Sequence, residues 1–444
     1  MRCLPPHLLL VLAWLPACSD DTQTAADTGT IDAAPAPDRP VVVDAADLPA
    51  DAATDTTTDT TSCVPPPPAP NLQLFTQLEA DLASLTGAAA RKARVDQFIS
   101  DAAQPGAYPV RDGTDVVLVF RGQVAGGSMS VAGTFNGWKP DVDKMASFPD
   151  TDLHFLKKPL GAARHEYKLV TPGGAWLDDP LNPHVIWDGI PTGGIGAFNS
   201  VVPPWGASDP KGSLERLRVS SPELGNTRDV FVYLPPAYGK ETCDRYPVLL
   251  VNDGNESLTR AQFDEVARAT FAAGKAADAV LVFVALASQT DRMSEYSCDP
   301  ADDGPGYADF LCDTLAPLID QRYRTTGTPD SRGIIGSSMG GLISYAALFW
   351  RNDCLRFAGA QSGSFFYKNN MMIDRVKSAA KQKLLRAYLD NGKDNLQPTH
   401  DMRDALKAGG YPVHHWEVPS QDHTWEAWQD RFDEALGQLL PPAP

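Results

Sequence analysis

The strongest constraint on the fold is the regular alternation of short apolar runs with helix-length segments between residues 210 and 440. Such runs are typical of strands that are buried on both faces, and a helix between two strands lets them pair in parallel. The pattern therefore predicts a mainly parallel, doubly wound sheet, with functional residues just beyond the carboxyl ends of its strands. The apolar runs are 230–234, 248–251, 280–284, 333–335, 357–360, 384–389 and 413–418.

A tight-turn motif follows the fourth of these runs, in the sequence Gly336-Ser337-Ser338-Met339-Gly340. A serine on a sharp turn between a strand and a helix projects its hydroxyl group, and the flanking glycines let neighbouring backbone approach closely. Because a serine hydroxyl is a weak nucleophile at neutral pH, it needs a base, and the base needs a carboxylate that fixes its tautomer. The motif therefore predicts that Ser338 is a nucleophile with two partners.

Residues of the two required types follow downstream, each just beyond a predicted strand. His423 precedes the last helical segment and is the predicted base. Asp394, in the loop after the run 384–389, is the predicted acid, and Asp390 at the end of that strand stays open as the alternative. The chain order serine, acid, histidine is that of the α/β hydrolases.

Acyl transfer also needs two backbone N–H groups that hold the negative charge developing on the substrate oxygen. The amide of Met339, directly after the nucleophile, is the first predicted donor. The second is expected from the loop after the run 248–251, at Gly254 or Asn255. The predicted oxyanion hole is thus built from backbone groups alone.

The other histidines of this region are predicted to have structural or surface roles. His414 and His415 are neighbours on a predicted strand and so face opposite sides of the sheet, while His400 follows Pro398 near the start of a helix. No cysteine has a spacing typical of a metal site. The sequence therefore predicts neither a metal nor an organic cofactor.

Residues 1–18 have the pattern of an export signal, with Arg2 followed by the apolar stretch 8–15. That stretch is too short for a permanent membrane-spanning helix. The segment ends in the letters LPAC, which resemble the lipobox of bacterial lipoproteins, in which a lipid is attached to the cysteine. With Ser19 next, the resemblance implies an exported protein that is anchored to the outer membrane, on its periplasmic or surface face, by a lipid on Cys18.

Residues 19–70 are a low-complexity segment of alanine, aspartate, threonine and proline. Ten aspartates and one arginine between 19 and 63 account for half of the formal net charge of −18. With few apolar residues to bury, the segment is predicted to be a disordered tether. The net charge argues against a nucleic-acid partner, because nucleic acid requires a basic surface.

Residues 71–206 are predicted to form a helical segment followed by a small β domain. Apolar residues recur every three or four positions in the segment 71–106, which is typical of helices with one buried face. In the segment 107–206, short apolar runs alternate with turn residues, which favours a small β-sandwich of the immunoglobulin-like type.

Four stretches of this β domain, at 131–138, 167–169, 179–183 and 198–200, resemble the family 48 carbohydrate-binding modules. They also resemble the related early-set domain of enterochelin esterases. The resemblance implies stacking of tryptophan faces on sugar rings, with packing of Trp138 against the next domain as the alternative. The positions that match the sugar contacts of the module are Trp138, Lys168, Trp176 and Asn199.

Residues 228–440 resemble the esterase D and enterochelin-esterase branch of the α/β hydrolases. The resemblance rests on 292–296, 336–341, 392–394 and 423–428, although Gln421 and Asp422 replace two glycines that usually precede the histidine. It implies an α/β-hydrolase domain at 210–444. It also implies a serine carboxylic-ester hydrolase that forms an acyl-enzyme on Ser338.

The substrate stays open between two ester classes. The pairing of domains favours a catecholate siderophore trilactone, whereas the predicted sugar contacts favour feruloyl or acetyl groups on polysaccharide. An acyltransferase, in which an alcohol captures the acyl-enzyme, is a variant of the same chemistry. An anchored carbohydrate-binding protein with a vestigial hydrolase domain is the non-enzymatic alternative.

Overall fold

The computed structural model of the protein describes residues 42–43, 72–104, 106–112, 114–190, 198–239 and 243–442. The predicted export signal with Cys18 lies outside these residues, as does the predicted tether apart from Val42 and Val43. Within them, every helix is too short or too polar to cross a membrane.

Strands and α-helices are numbered in chain order. The strands β1 to β19 of the described residues are Val42–Val43, Val110–Asp112, Asp115–Arg121, Ser130–Gly133, Asp143–Lys144, Ala146–Ser147, Leu153–Pro159, His165–Val170, Trp176–Leu177, Val185–Trp187, Phe198–Val202, Ser213–Ser221, Asn226–Leu234, Val248–Val251, Val280–Val284, Arg332–Ser337, Phe357–Gln361, Arg386–Asn391 and Val413–Glu417. The α-helices α1 to α11 are Leu72–Ser84, Ala88–Ala102, Gly254–Thr259, Phe263–Ala272, Arg292–Glu295, Gly304–Asp309, Ala316–Arg322, Met339–Trp350, Tyr367–Ser378, Leu396–Ala408 and Trp425–Leu439.

The largest sheet has the strand order β1-β12-β13-β15-β14-β16-β17-β18-β19. From β15 to β19 in this order all neighbours pair in parallel, while β13 is antiparallel to both β12 and β15. Each of the seven predicted strands overlaps one of these strands. The sequence pattern missed β12, because its inward and outward residues alternate and form no continuous apolar run.

Helices cover both faces of this sheet, because side chains alternate along each strand. On one face, Leu250 and Ile334 belong to a core that includes α8, α9 and α10. On the other face, Leu249 and Ile335 belong to a core that includes α4 and α11. The central strands are therefore buried on both sides, which makes the sheet a rigid platform for the loops at its edge.

The chain changes direction across the sheet between β14 and β16. From β14 it runs to β15 on one side, and it returns to β16 on the other side of β14. At such a switch point the loops from the two strands diverge and leave a crevice at their carboxyl ends. Asn252 follows β14 and Ser338 follows β16, so the predicted oxyanion loop and the predicted nucleophile border this crevice.

Residues 72–202 form α1, α2 and two antiparallel sheets, one ordered β2-β3-β7-β6 and the other β10-β11-β8-β4-β5 with β9 beside β8. Along β3, Leu118 belongs to the same buried cluster as Tyr167 of the second sheet, whereas Val119 belongs to the same cluster as Phe98 of α2. The four-stranded sheet thus lies between the two helices and the second sheet.

The strand β1 lies inside the segment that was predicted to be a disordered tether. Val42 pairs with Arg218 and Val43 with Val219, parallel to β12. Valines favour extended backbone, and β12 without β1 would be an edge strand with unpaired N–H and C=O groups. At these two residues the chain therefore pairs with β12, and the tether stays a prediction.

Candidate active site

The predicted nucleophile lies on a strained turn between β16 and α8. Ser338 has φ 57° and ψ −119°, a conformation that costs a residue with a side chain about 1–3 kcal/mol. Backbone hydrogen bonds hold it there, from Ser338 N to Gln361 O at 2.9 Å and from Ser364 N to Ser338 O at 3.0 Å. A Cβ atom on Gly336 would lie 2.6 Å from the carbonyl carbon of Gly340, so the turn requires a glycine there.

The hydroxyl group of Ser338 contacts the hydroxyl group of Ser364, with 3.2 Å between the two Oγ atoms. Within the described residues it has no hydrogen bond to His423. Ser364 follows β17 and was not predicted as a site residue, because serine in a glycine-containing loop gives no distinctive signal.

Backbone strain recurs in the segments around Ser338. Four residues with side chains have positive φ values in the segments that follow neighbouring strands: Asp253 after β14, Ser338 after β16, Ser362 after β17 and Asn395 after β18. Conformations of this kind persist only where the surrounding structure enforces them, and they cluster at functional sites. The distribution of strain therefore marks the carboxyl edge of the sheet as the candidate active site.

Asp394 is the carboxylate that contacts the predicted base. Its Oδ2 atom contacts Nδ1 of His423. Burial raises the pKa of Asp394, but the hydrogen bond with His423, the charge of His423 and smaller contributions from the backbone and Arg431 together leave the pKa below its usual value. Because Nδ1 is engaged, Nε2 of His423 is the nitrogen that can exchange a proton with a hydroxyl group.

Asp390, the alternative acid, is used elsewhere. It is fully buried, its Oδ1 accepts a hydrogen bond from Nε of Arg431 at 3.0 Å, and its Oδ2 accepts one from the hydroxyl of Tyr388 at 2.9 Å. Burial raises the pKa of Asp390 to about 6 against the lowering effect of Arg431. The structure thus favours Asp394 as the partner of His423.

Arg431 connects the loops that carry these groups, and the sequence analysis missed it. Besides Asp390, its guanidinium donates hydrogen bonds to Oγ of Ser362 at 3.0 Å and to Oε1 of Gln421 at 2.7 Å. The side chain is fully buried. The only sign in the sequence that Arg431 is buried is its position three residues after Trp428, on the apolar side of α11.

The predicted oxyanion loop after β14 is fastened to the nucleophile turn. Nδ2 of Asn252 donates a hydrogen bond to the carbonyl of Gly340 at 2.9 Å. The carboxylate of Asp253 accepts two hydrogen bonds from Arg292, each 2.8 Å long, a bidentate geometry that fixes orientation. The amide of Asp253 in turn donates to the hydroxyl of Tyr296 at 2.8 Å.

The predicted oxyanion donors are at the starts of two helices. Gly254 and Asn255 are the first residues of α3, and Met339 is the first residue of α8. The N–H groups of a first helical turn have no acceptor within their own helix. A Cβ atom on Gly254 would lie 2.6 Å from the backbone of Phe283, so a glycine is needed for this close approach to β15.

Glu256, the next residue of α3, is a buried carboxyl group that the sequence analysis also missed. Its Oε1 contacts Nε2 of Gln289, while Oε2 has no hydrogen-bond partner among the described residues. Burial and the nearby charge of Asp253 raise the pKa of Glu256 to about 7. Glu256 thus adds a group that titrates near neutral pH beside the oxyanion loop.

Four residues match the sugar contacts of the carbohydrate module: Trp138, Lys168, Trp176 and Asn199. The register of the paired strands and a contact between the two tryptophan rings place them near one another on the six-stranded sheet. The two tryptophan rings have centroids 6.4 Å apart, and Trp176 is 44% exposed. The two polar residues already have other partners. Lys168 forms an ion pair with Asp188 at 2.8 Å, and Asn199 donates a hydrogen bond to Glu166 at 3.1 Å.

Comparison with known proteins gives a family match for the region that contains this site. Residues 221–439 match the family described as "Putative esterase". An uncharacterized protein of Bacillus subtilis, YbbA, is 28% identical over 222 residues, which is 45% of this chain and 84% of that protein. This region therefore has the α/β-hydrolase-like fold of esterases.

Two further proteins are similar at lower identity. An endo-1,4-beta-xylanase/feruloyl esterase of Xylanibacter ruminicola is 24% identical over 237 residues, or 52% of this chain, and the match spans only 31% of that protein. The crystal structure of the enterobactin esterase from Shigella flexneri aligns with 73% of this chain and 93% of its own, at 18% identity and a TM-score of 0.47.

We expect Asp394→Asn and Asp390→Asn to fail in different ways. Asp394→Asn removes the carboxylate beside His423, so kcat for a short-chain ester should fall about 10³–10⁴-fold while the folded protein is retained. Asp390→Asn leaves the buried Arg431 without its counter-charge, so stability should fall by about 3–5 kcal/mol. Ester hydrolysis and urea unfolding, monitored by circular dichroism, measure the two effects.

The control for this pair is Asp422→Asn, which alters an exposed carboxylate next to His423 whose partner is Lys393. It should change neither kcat nor stability appreciably. If Asp390→Asn folds normally and abolishes activity while Asp394→Asn is fully active, the assignment of the acid is wrong.

Proposed function

We propose that this chain is a serine carboxylic-ester hydrolase that uses Ser338, His423 and Asp394 as its catalytic triad, a proposal supported by the match of residues 221–439 to an esterase family. The observation that carries the proposal is the arrangement at the sheet edge. A strained serine turn follows the central strand β16, and a histidine paired with a carboxylate lies beyond β18 and β19.

In the first half-reaction, Oγ of Ser338 attacks the carbonyl carbon of the ester while its proton passes to Nε2 of His423. The negative charge moves to the carbonyl oxygen, where the N–H groups of Met339 and of Gly254 or Asn255 donate hydrogen bonds. One such donor is worth about 3 kcal/mol of barrier. The C–O bond of the tetrahedral intermediate then breaks, and the alcohol leaves with the proton from His423.

In the second half-reaction, water attacks the acyl group on Ser338 and gives its proton to His423. Collapse of the second tetrahedral intermediate releases the acid and returns the proton to Ser338. Throughout, the carboxylate of Asp394 keeps Nδ1 of His423 protonated and stabilises the imidazolium. Before the first step, the hydroxyl of Ser338 has to turn from Ser364 toward His423.

Ser338→Ala should lower kcat for a chromogenic short-chain ester by at least about 10³-fold, because the acyl-enzyme cannot form. Ser337→Ala is the matched control: it removes a neighbouring buried hydroxyl that donates to Gln361 at 3.3 Å, and activity should stay within about threefold. Equal hydrolysis by the wild type and Ser338→Ala would refute the triad and would favour a vestigial domain.

We propose esters whose acyl part carries an aromatic ring as the substrate class, with a catecholate siderophore trilactone as the leading candidate. Three large apolar side chains are exposed at or just before the starts of the helices α5, α9 and α10. Met293 follows Arg292, Phe366 lies two residues after Ser364, and Leu396 lies two residues after Asp394. Exposed apolar groups beside a reactive centre are suited to hold a planar ring.

A polysaccharide-linked feruloyl or acetyl ester is the second candidate. It is supported by the neighbouring rings of Trp138 and Trp176, of which Trp176 is exposed, since tryptophan faces can stack on sugar rings. The similar protein of Xylanibacter ruminicola is named as a feruloyl esterase. Under this proposal the β domain would hold the polysaccharide while the esterase domain cleaves the ester.

A double variant Trp138→Ala/Trp176→Ala separates the two candidates. If the substrate is carried on polysaccharide, the wild type should sediment with xylan, glycogen or starch, and the variant should be retained at least about tenfold less. Activity on a small soluble ester should be unchanged. Absence of retention for both proteins, together with faster hydrolysis of a catecholate trilactone than of a feruloylated oligosaccharide, would reject the second candidate.

We also propose that the enzyme works outside the cytoplasm, held to the outer membrane by a lipid on Cys18. The disulfide between Cys312 and Cys354, with Cα atoms 5.9 Å apart, supports the proposal, because disulfides persist in oxidising compartments. Within the described residues Cys298 is a free, buried thiol, whereas Cys243 is disulfide-bonded.

Anchoring is tested with the full chain expressed in a Gram-negative host that is fed radiolabelled palmitate. The wild type should incorporate label and fractionate with the outer membrane. Cys18→Ala should do neither, because the thiol that would take the lipid is absent. Cys298→Ala is the control and should be labelled normally, and labelling of Cys18→Ala would disprove the proposed anchor site.

A further inference from the structure

Two histidines and a glutamate lie together at the edge strand β19, on the face of the sheet that α10 covers. His400 is on α10, and His415 and Glu417 are on β19. One ligand atom from each of the three residues lies within 4.8 Å of the other two. Nε2 of His400 is 2.5 Å from Oε1 of Glu417, and Nδ1 of His415 is 3.8 Å from the same oxygen.

Local geometry explains why these residues meet. His415 and Glu417 are two apart on a strand, so their side chains point to the same face of the sheet, where α10 packs. His414, between them, points to the opposite face. Its ring stacks on Tyr388 with centroids 5.9 Å apart, and its Nε2 atom is 3.2 Å from Oε1 of Glu434. Of the neighbouring histidines, only His415 can therefore face His400.

The ring of His415 is held by a second group. Its Nε2 atom is 2.9 Å from Oδ1 of Asn391, the residue that pairs with Glu417 across the β18–β19 ladder. If Nε2–H donates to this oxygen, the lone pair of Nδ1 is directed toward Glu417 and His400. Histidine ligands of metal ions are characteristically oriented in this way, through a hydrogen bond from the other ring nitrogen.

We propose that His400, His415 and Glu417 bind a divalent transition-metal ion, with Zn²⁺ as the best match. Imidazole nitrogens with one carboxylate suit Zn²⁺ and its neighbours in the first transition series, whereas Ca²⁺ and Mg²⁺ favour sites built from oxygen alone. Three protein ligands leave a fourth position for water. No metal was predicted from the sequence, because these ligands come from two elements and form no compact motif.

One neighbouring cation competes with this ion. A guanidinium nitrogen of Arg403 is 3.4 Å from Nδ1 of His415, although the other two guanidinium nitrogens donate to Asp404. An ion that binds Nδ1 displaces this contact and meets the positive charge of Arg403. Removal of that charge should therefore tighten binding of the ion.

The ion would bind next to the predicted acid loop. Asn391 is the last residue of β18 and directly precedes the loop 392–394 that ends at Asp394. A metal ion that links α10 to β19 would stabilise the outer edge of the sheet from which this loop departs. The role is structural, and it does not depend on the proposed catalytic mechanism.

The test uses the full chain without a polyhistidine tag, stripped with a chelator and titrated with Co²⁺, whose visible bands report coordination by protein ligands. Zn²⁺ is then added as the competitor. We expect one ion per chain in the wild type. His400→Ala and the isosteric Glu417→Gln should each weaken binding at least about tenfold, while Arg403→Gln should strengthen it.

His414→Ala is the matched control, because it removes the adjacent histidine that faces the other side of the sheet; its affinity should equal that of the wild type. Zn²⁺ should also raise the melting temperature of the wild type and of His414→Ala, but not that of His400→Ala. The proposal is overturned if no Co²⁺ bands appear, or if neither of the single variants His400→Ala and Glu417→Gln weakens binding. It is also overturned if His423→Ala alone abolishes binding, which would place the ion at the predicted catalytic histidine.

Discussion

The candidate active site depends on one buried ion pair, between Arg431 and Asp390. Both side chains are fully buried, and the remaining guanidinium nitrogens bond Ser362 and Gln421. A buried pair of this kind often adds little net stability, because desolvation of the charges offsets their attraction. Here the ion pair joins three segments: the loop after β17, the end of β18 and the loop before α11. These segments bring Ser364, Asp394 and His423 to the same edge of the sheet.

At this edge of the sheet, the surrounding contacts hold strained backbone in place. The loops after four adjacent strands each contain a residue with a side chain and a positive φ value, and Ser338 is one of them. A strained turn persists only if its surroundings prevent relaxation. The covered faces of the sheet, the contact of Asn252 with Gly340 and the bidentate contact of Arg292 with Asp253 provide that support. The hydroxyl group of Ser338 is thus presented at the switch point by a turn that its neighbours hold in place.

Local patterns predicted much of the esterase domain. The seven apolar runs each overlap an observed strand, and the Gly-x-Ser-x-Gly motif lies on a strand-to-helix turn with the expected strain. The pattern failed for β12, whose half-buried face gives alternation instead of an apolar run, and for β1, where two valines pair with that strand inside an otherwise polar segment. On the β domain, the rings of Trp138 and Trp176 are neighbours, whereas Lys168 and Asn199 are already paired with acidic residues.

The sequence by itself determined the parallel sheet, the serine turn and the histidine beyond the last strand, because each follows from residues that are close together in the chain. Only the tertiary structure decided that Asp394, and not Asp390, meets His423. It also showed that Arg431 holds Asp390 and that His400 faces His415 and Glu417. These contacts join different strands, loops and helices. Their distances depend on how the edges of the sheet pack, and no local spacing of residues specifies that.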